Sequence, residues 1–463
     1  MVAPVAQSCP VATKIATYGS SWPCSNYLRC GVTKSDEAVI DPVVRVEEKV
    51  RTRGGRFEFL DALRGLAASA VVIGHCGERL WPEYARFSSS HFGAGMFGVF
   101  VFFIVSGFII PASLERGRSL AAFWVGRFFR LFPLFWGCLI AAMILHSVGR
   151  FSLQSGFLAD PAWHMITNAT MVQFFLGAPN TQVIGAAWTL SYELVFYLFV
   201  SLLFLGGLNR RSVPLAVLAI GSIVAALFLP VAMVNGPDAN LVSRLMVVVV
   251  TVAVAVFFAR RAATRRSAGA AVLLASIAVP LVLNQPGPSA YSATIFATML
   301  VGTVLYRMTA GEIGTMLGWG MFGFAACVIL GFKFVVEQPH LDPATGVWVP
   351  WWKEAVTMVC AYLLFGAALL LRRYSFPRPL LFLGRISFSL YLMHALVLGA
   401  INPWTTSVLG ISAAWLTWCT WVIGSIALAT LTYHTIEKPF HNLGRRLMDK
   451  MDAGARPAPT PVA

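Results

Sequence analysis

Three ionisable residues lie within the first long apolar run of the sequence: Asp61, Arg64 and His75. Asp61 and Arg64 are three residues apart, which places them on one face of a helix, where they can form an ion pair. Arg64 and His75 are eleven residues apart, so on a helix they point in nearly the same direction, about 16 Å apart along its axis. Charged groups are costly inside a membrane, which makes these residues candidates for chemistry. An interfacial ion pair is the alternative for the first two, and an ordinary polar contact is the alternative for His75.

Further polar residues interrupt later apolar runs. Arg127 and Arg130 are three residues apart, and two guanidiniums on one helix face can hold phosphates through paired hydrogen bonds. Anchoring at the cytoplasmic surface is the alternative for this pair. Glu193 and His394 each lie in an otherwise apolar segment, and Ser106 is followed by a glycine, a small pair that permits close helix packing.

The segments that carry these residues are too apolar for a soluble protein. The chain has 463 residues, of which 57% are hydrophobic and 12% charged, with a mean hydropathy of +0.72. A soluble domain carries about 25% charged residues. This composition excludes a cytosolic enzyme, a disordered protein and a secreted disulfide scaffold, and it predicts an all-α, polytopic transmembrane bundle.

Twelve apolar runs are long enough to be considered as membrane spans, and about 10–12 of them are expected to cross. The two least certain runs are separated only by a Pro-Gly-Pro turn at 286–288, so either of them could be re-entrant. The runs lie near 58–78, 95–113, 128–148, 185–206, 213–234, 242–259, 269–285, 289–308, 314–336, 351–371, 381–401 and 411–434.

The net charge of +15 is distributed in a way that predicts topology. Lysine and arginine cluster in alternate connections, which predicts that both termini are cytoplasmic and that the protein is a multi-pass protein of the inner (plasma) membrane. Nucleic acid is not an expected partner, and none of the eight cysteines has the spacing of a metal ligand. We expect residues 1–50 to be a poorly ordered tail and residues 446–463 to be a short cytoplasmic tail.

The two longer outer connections, 149–184 and 337–350, are rich in indoles and amides. Such side chains suit a sugar, whose apolar faces stack on rings and whose hydroxyls need partners, or an aromatic belt at the membrane interface. The residues concerned, in and beside these connections, are Trp163, His164, Asn168, Asn180, Gln182, Trp348, Trp351 and Trp352.

Six short motifs follow one another across residues 57–445: Arg64 and His75; Phe102, Phe103, Ser106 and Gly107; Arg130 and Pro133; Trp188, Leu190 and Glu193; Ser387, Tyr391, Leu392 and His394; and Glu437, Lys438 and Pro439. Each motif is weak alone. In this order, they give the chain a resemblance to the acyltransferase-3 family of integral-membrane O-acyltransferases. The chain departs from that family's pattern at Phe100, where a polar or acidic residue is frequent, and at Gly126, where a second basic residue is common.

The resemblance implies transfer of an acyl group, commonly acetyl, from cytoplasmic acyl-CoA to a hydroxyl of a glycan or lipid-linked sugar. The acceptor could belong to an exopolysaccharide, a lipopolysaccharide or another envelope polysaccharide, a lipo-oligosaccharide signal or a macrolide, with polysaccharide assembly proteins as candidate partners and no bound cofactor. His75 is then the expected general base, because neutral imidazole accepts a proton near neutrality. The other catalytic residues are Arg64 and Glu193, the latter to orient His75 or the acceptor. Substrate-binding roles fall to Asp61, Ser106, Arg127, Arg130, Tyr391 and His394.

Several alternatives stay open at this stage. His75 could instead take the acyl group covalently and pass it on. A secondary transporter of a polar solute also fits a chain of this length with intramembrane Arg, His and Glu, although the two halves show no evident repeat. A non-catalytic scaffold in a polysaccharide assembly complex is the third alternative.

Overall fold

The computed structural model describes residues 57–116, 119–176, 181–225, 289–336, 338–342, 345–408 and 414–454. The predicted tail 1–50, the predicted spans near 242–259 and 269–285, Asn180 and the end of the predicted C-terminal tail lie outside the described residues.

The described chain is almost entirely helical. Its strands are β1 (His340–Leu341) and β2 (Trp348–Val349), which pair antiparallel with His340 opposite Val349. The helices are α1 (Glu58–Leu80), α2 (Pro82–Ser90), α3 (Ala94–Arg116), α4 (Leu120–Ser147), α5 (Ser155–Ala159), α6 (Pro161–Ala169), α7 (Gln173–Leu176), α8 (Trp188–Leu205), α9 (Ser212–Ala225), α10 (Ser289–Thr309), α11 (Thr315–Val336), α12 (Trp352–Leu370), α13 (Arg378–Arg385), α14 (Ser387–Val408), α15 (Ala414–Thr432) and α16 (Lys438–Gly454).

Seven stretches of the described helices are long and apolar enough to cross a membrane: α1, α3, α4, α8, α11, α12 and the continuous helix Ala414–Met451. This confirms the predicted fold class, a polytopic helical membrane protein. The predicted span near 381–401 is broken, because α13 and the apolar part of α14 meet at 71°. Counted as one span, that bent pair brings the number in the described residues to eight.

Several helix boundaries differ from those predicted. The third span begins at Leu120, where the Ser119 side chain caps the helix by accepting from the Ala122 N–H at 3.1 Å. The last span continues without interruption through a π-helical turn, Tyr433–Glu437, into α16. The predicted C-terminal tail therefore begins inside a helix. Helix α10, predicted as a span, is not among the seven apolar stretches.

Glycines bring the central helices unusually close together, and this confirms the predicted packing role of the glycine after Ser106. A Cβ atom on Gly107 would overlap the backbone of Met299 in α10, and Thr303 donates to the Gly107 carbonyl at 2.9 Å. A Cβ on Gly98 of α3 would overlap the carbonyl of Ala67 in α1. Helix α1 therefore packs tightly against α3, and α3 against α10.

Helix α1 is also fixed on its other side by the bent pair. A Cβ on Gly384 would overlap the Asp61 carbonyl, so α13 lies directly against the first turn of α1. Helices α14 and α15 contact α1 as well. The helix that carries Arg64 and His75 is thus enclosed by α3, α12, α13, α14 and α15, which restricts the positions of both side chains.

Candidate active site

The two histidines that the sequence singled out meet in the structure. His75 of α1 and His394 of α14 place Nδ1 and Nε2 3.1 Å apart, and their rings are stacked with centroids 5.3 Å apart. His394 is buried, whereas His75 is partly exposed. One ring nitrogen must therefore donate to the other, which fixes the orientation of the more accessible imidazole.

The other nitrogen of His75 faces a glycine. A Cβ built on Gly95, at the start of α3, would lie 3.1 Å from His75 Nε2. Gly95 is buried, so a side chain at this position would press against the imidazole. The absence of a side chain at position 95 therefore allows the imidazole to keep its position.

The histidine pair opens on a cavity of about 500 Å³, here called the histidine cavity. It contains polar groups from α1 and from the connection before α8, together with apolar groups of α14. Its lining is His75, Glu78, Arg79, Phe151, Ser152, Gln154, Gln182, Val183, Gly185, Ala186, His394, Ala395, Leu398 and Gly399.

Six of the other predicted site residues line a second cavity, here called the arginine cavity. It is narrow, about 60 Å³, and it lies among α1, α3, α4, α8 and α14. The six residues are Arg64, Ser106, Arg127, Arg130, Glu193 and Tyr391. Three guanidiniums around one narrow space make a binding site for an anionic group.

Aromatic rings hold Arg127 in place. Its guanidinium lies over the rings of Phe123 at 5.1 Å and Tyr197 at 5.2 Å from the ring centroids, and the residue is 8% exposed. Tyr197 in turn donates a hydrogen bond to Glu193, one helical turn earlier on α8. We expected Glu193 to orient His75 or the acceptor, but the structure places its carboxylate at the arginine cavity, with Tyr197 as its partner.

Carboxylates balance the charge of these arginines. Asp61, Glu193 and Glu437 are all close enough to Arg64 to interact with it electrostatically, so Asp61 lies where the sequence predicts it. Glu437 was matched as a motif residue but was not expected at the site. It accepts a hydrogen bond from Ser389 of α14 at 2.6 Å and lies in the π-helical turn, a local irregularity that often marks functional positions.

Tyr391 stands at the boundary of the two cavities. Its ring lines the arginine cavity, while its hydroxyl donates to the carbonyl of Ala186, which lines the histidine cavity, at 2.8 Å. The same hydroxyl is 2.9 Å from Thr189 Oγ1. The Tyr391 ring lies 6.0 Å from the His394 ring between centroids, so Tyr391 lies beside both the arginine cavity and the histidine pair.

Most of the predicted outer indoles do not reach either cavity. Trp348 is 65% exposed, and Trp351 packs edge-on against Phe334 with centroids 4.9 Å apart. Asn168 instead organises the connection before α8. Its amide group donates to the Thr181 carbonyl at 2.9 Å, and its side-chain oxygen accepts from the Val183 N–H at 3.0 Å.

Comparison with known proteins gives consistent results. The family model described as "Acyltransferase domain" of the acyltransferase-3 type matches residues 57–434. The chain is 31% identical to Acyltransferase MdmB of Streptomyces mycarofaciens over 150 residues, which are 31% of this chain and 38% of that protein. It is 26% identical to Peptidoglycan O-acetyltransferase OatA of Listeria monocytogenes over 201 residues, 40% of this chain and 30% of that protein.

A third relative is similar over most of its length. The chain is 26% identical to Nodulation protein 10 of Rhizobium leguminosarum bv. viciae over 418 residues, which are 84% of this chain and 94% of that protein. The chain thus spans only about a third of the length of the first two relatives, and nearly all of the third.

Proposed function

Because the chain belongs to the acyltransferase-3 family and is a membrane O-acyltransferase, we propose that it transfers an acyl group, acetyl in the first instance, from acyl-CoA to a hydroxyl of a glycan or lipid-linked sugar. The observation that carries this proposal is the arrangement of two unlike cavities on either side of Tyr391. One presents three arginines and suits an anionic donor. The other presents a histidine pair and suits a neutral hydroxyl compound.

We infer the binding site of the acyl donor from the charges of the donor and of the arginine cavity. Acyl-CoA carries several phosphate charges and a long, narrow pantetheine arm that ends in the thioester. Arg64, Arg127 and Arg130 line the arginine cavity, so we place the negatively charged part of the donor at these guanidiniums. We place this face in the cytoplasm, where acyl-CoA is made, in agreement with the clusters of basic residues in alternate connections.

We infer the binding site of the acceptor from the need to remove a proton from its hydroxyl. A sugar hydroxyl attacks a thioester only when a base removes its proton, and His75 lines the cavity that we assign to the acceptor. When His75 Nδ1–H donates to His394, Nε2 carries the lone pair that accepts the proton. His394 thereby acts as the residue that orients the base.

The bond changes can be written without a covalent enzyme intermediate. The hydroxyl oxygen attacks the thioester carbonyl while its proton moves to His75 Nε2. The tetrahedral oxyanion then collapses, the carbon–sulfur bond breaks, and the CoA thiolate takes the proton back from the imidazolium. The hydroxyl of Tyr391, at the boundary of the two cavities, can donate to the oxyanion when it leaves the Ala186 carbonyl.

Relatives suggest the acceptor class. One is named a peptidoglycan O-acetyltransferase, and another is a nodulation protein. We infer a cell-envelope or exported glycan as the acceptor here, with the inner membrane as the location of the enzyme. The polar lining of the histidine cavity, with amides, a hydroxyl and two histidines, supports an acceptor that is rich in hydroxyl groups.

Label transfer tests the proposal directly. Inverted and right-side-out membrane vesicles with wild type, His75→Ala or Arg64→Ala would receive acetyl-CoA labelled in the acetyl group, and the label in glycan and lipid-linked fractions would be counted. We expect transfer with wild type in inverted vesicles, none with His75→Ala, and a raised donor KM with Arg64→Ala. Normal transfer by His75→Ala would refute the assignment of the base. Solute flux without acyl turnover would indicate the transporter alternative.

A further inference from the structure

A third cavity adjoins the histidine pair on its acceptor side. It has a volume of about 350 Å³ and is here called the aromatic cavity. It shares Gln154, Gln182 and Gly185 with the histidine cavity, so the two spaces are continuous along the connection before α8. The remaining lining consists of rings: Phe174, Trp188 and Tyr291.

The three rings form one packed group. Trp188 lies 5.8 Å from Phe174 and 6.2 Å from Tyr291 between ring centroids, and both pairs are tilted at about 40°. Such rings offer broad apolar surfaces that lose little conformational entropy when a ligand covers them. None of the described residues that line this cavity carries a charge. It therefore suits a neutral ligand with an apolar face, and it offers nothing to a phosphate.

Amides at the junction supply the polar contacts that such a ligand needs. The side-chain oxygen of Gln182 is buried and accepts no hydrogen bond from any described residue. The side chain of Gln154 lies beside it and accepts from the Gln182 backbone N–H at 3.2 Å. A buried acceptor without a partner is costly, so its presence in a cavity points to a ligand that donates to it.

Hydrogen bonds within the protein fix the position of Gln182 before any ligand binds. The residues on either side of it, Thr181 and Val183, are both hydrogen-bonded through their backbones to the fully buried side chain of Asn168. This brace holds Gln182 at the junction of the two cavities. A binding group that is held before the ligand arrives loses less entropy on binding than a mobile one.

We propose that the aromatic cavity is a subsite for a second sugar ring, next to the ring whose hydroxyl is acylated. A pyranose has C–H faces that stack on aromatic rings and edge hydroxyls that donate to an amide oxygen. This inference rests on the proposed function. It narrows the acceptor from any hydroxyl compound to a glycoside of at least two rings, with the reacting ring in the histidine cavity and its neighbour on Phe174, Trp188 and Tyr291.

Acceptors with one sugar ring and with two rings distinguish the contribution of this subsite from the acyl transfer itself. Membranes would receive labelled acetyl-CoA and the methyl glycosides of glucose, galactose and N-acetylglucosamine, each as a single ring and as the β-linked disaccharide. For the pair that the wild type acetylates best, we expect kcat/KM to favour the disaccharide by about ten-fold, mainly through KM. We expect Tyr291→Ala and Gln182→Ala to reduce this preference to about two-fold or less.

Two further variants control for folding. Tyr291→Phe keeps the ring, so we expect it to keep the preference for the disaccharide. Trp348→Ala removes an exposed indole that lines none of the three cavities, and we expect wild-type kinetics. Equal use of one and two rings by the wild type, or an unchanged preference in Tyr291→Ala and Gln182→Ala, would overturn the subsite while leaving the acyltransferase intact. Transfer to no sugar at all would overturn the proposed function as well.

Discussion

At the scale of single residues, the site depends on the lack of a side chain at Gly95 as much as on the imidazole of His75. His75 can act as a base only if its imidazole keeps its position, and a Cβ atom at position 95 would lie only 3.1 Å from Nε2. Gly93, two residues earlier, has no such role, since a Cβ there would meet the Lys353 side chain at an ordinary contact distance of 3.7 Å. The two glycines therefore make a matched pair.

We predict that Gly95→Ala lowers the transfer rate by about ten- to a hundred-fold, because the added methyl displaces the imidazole from its working position. The rate of label transfer per amount of membrane-inserted protein measures this effect. Gly93→Ala should retain the wild-type rate. If the two variants have equal rates, the lack of a side chain at position 95 does not matter to the reaction.

At the scale of helices, close packing across glycines sets the positions of the site's walls. Helix α3 contributes Ser106 to the arginine cavity, and Gly107 next to it lies against the backbone of α10. Helix α10 contributes Tyr291 to the aromatic cavity. The α3–α10 contact thus links walls of two different cavities, and a change in the separation of these helices should affect both.

We predict that Gly107→Ala destabilises the protein by about 1–3 kcal/mol, because the added methyl must push two helix backbones apart. Thermal unfolding in detergent, monitored by size-exclusion chromatography, should show a lower unfolding midpoint than that of the wild type. Gly323→Ala is the control, since a Cβ at that position of α11 meets nothing within 4 Å. A loss of stability as large in the control would mean that helix packing at Gly107 is not the cause.

At the scale of the whole molecule, one ionic cluster joins four segments of the chain. Arg307 at the end of α10 is 2% exposed and pairs with Glu115 of α3 and, at 2.8 Å, with Glu312. It also donates to the Asn209 carbonyl at 3.0 Å, and Ser212 of α9 lies 3.4 Å from its Nε. This cluster lies outside the lining of all three cavities, so it holds the bundle together without contacting substrate.

We predict that Arg307→Met lowers stability by about 1–3 kcal/mol, because the Asn209 carbonyl loses its charged donor and Glu115, which is 18% exposed, loses its ion pair while it keeps the hydrogen bond from the Asn209 side chain. The unfolding midpoint in detergent should fall, while the donor KM of the remaining folded enzyme should stay within two-fold. Arg373→Met, at an exposed position, provides the comparison. An unchanged midpoint in Arg307→Met would show that the cluster contributes little to stability.

The sequence by itself determined the membrane class, the helical architecture and the ionisable residues of the arginine cavity and the histidine pair. These follow from composition, segment length and the cost of charges in lipid, all of which are local properties of the chain. Ser106 and Tyr391 were expected at the site only because of the resemblance to the family. The helix bounds were less accurate where a capping serine or a π-helical turn moved an end, since such features depend on a few hydrogen bonds.

Only the tertiary structure decided which of these residues act together. His75 and His394 are 319 positions apart, and no spacing rule relates them. Glu193 was expected to orient His75 or the acceptor, and the packing of α8 places it at the arginine cavity. Likewise, Tyr291 carries no sequence signal for sugar binding. Its role depends on which helix face α10 turns toward Trp188, and that is set by the glycines at which α3 and α10 meet.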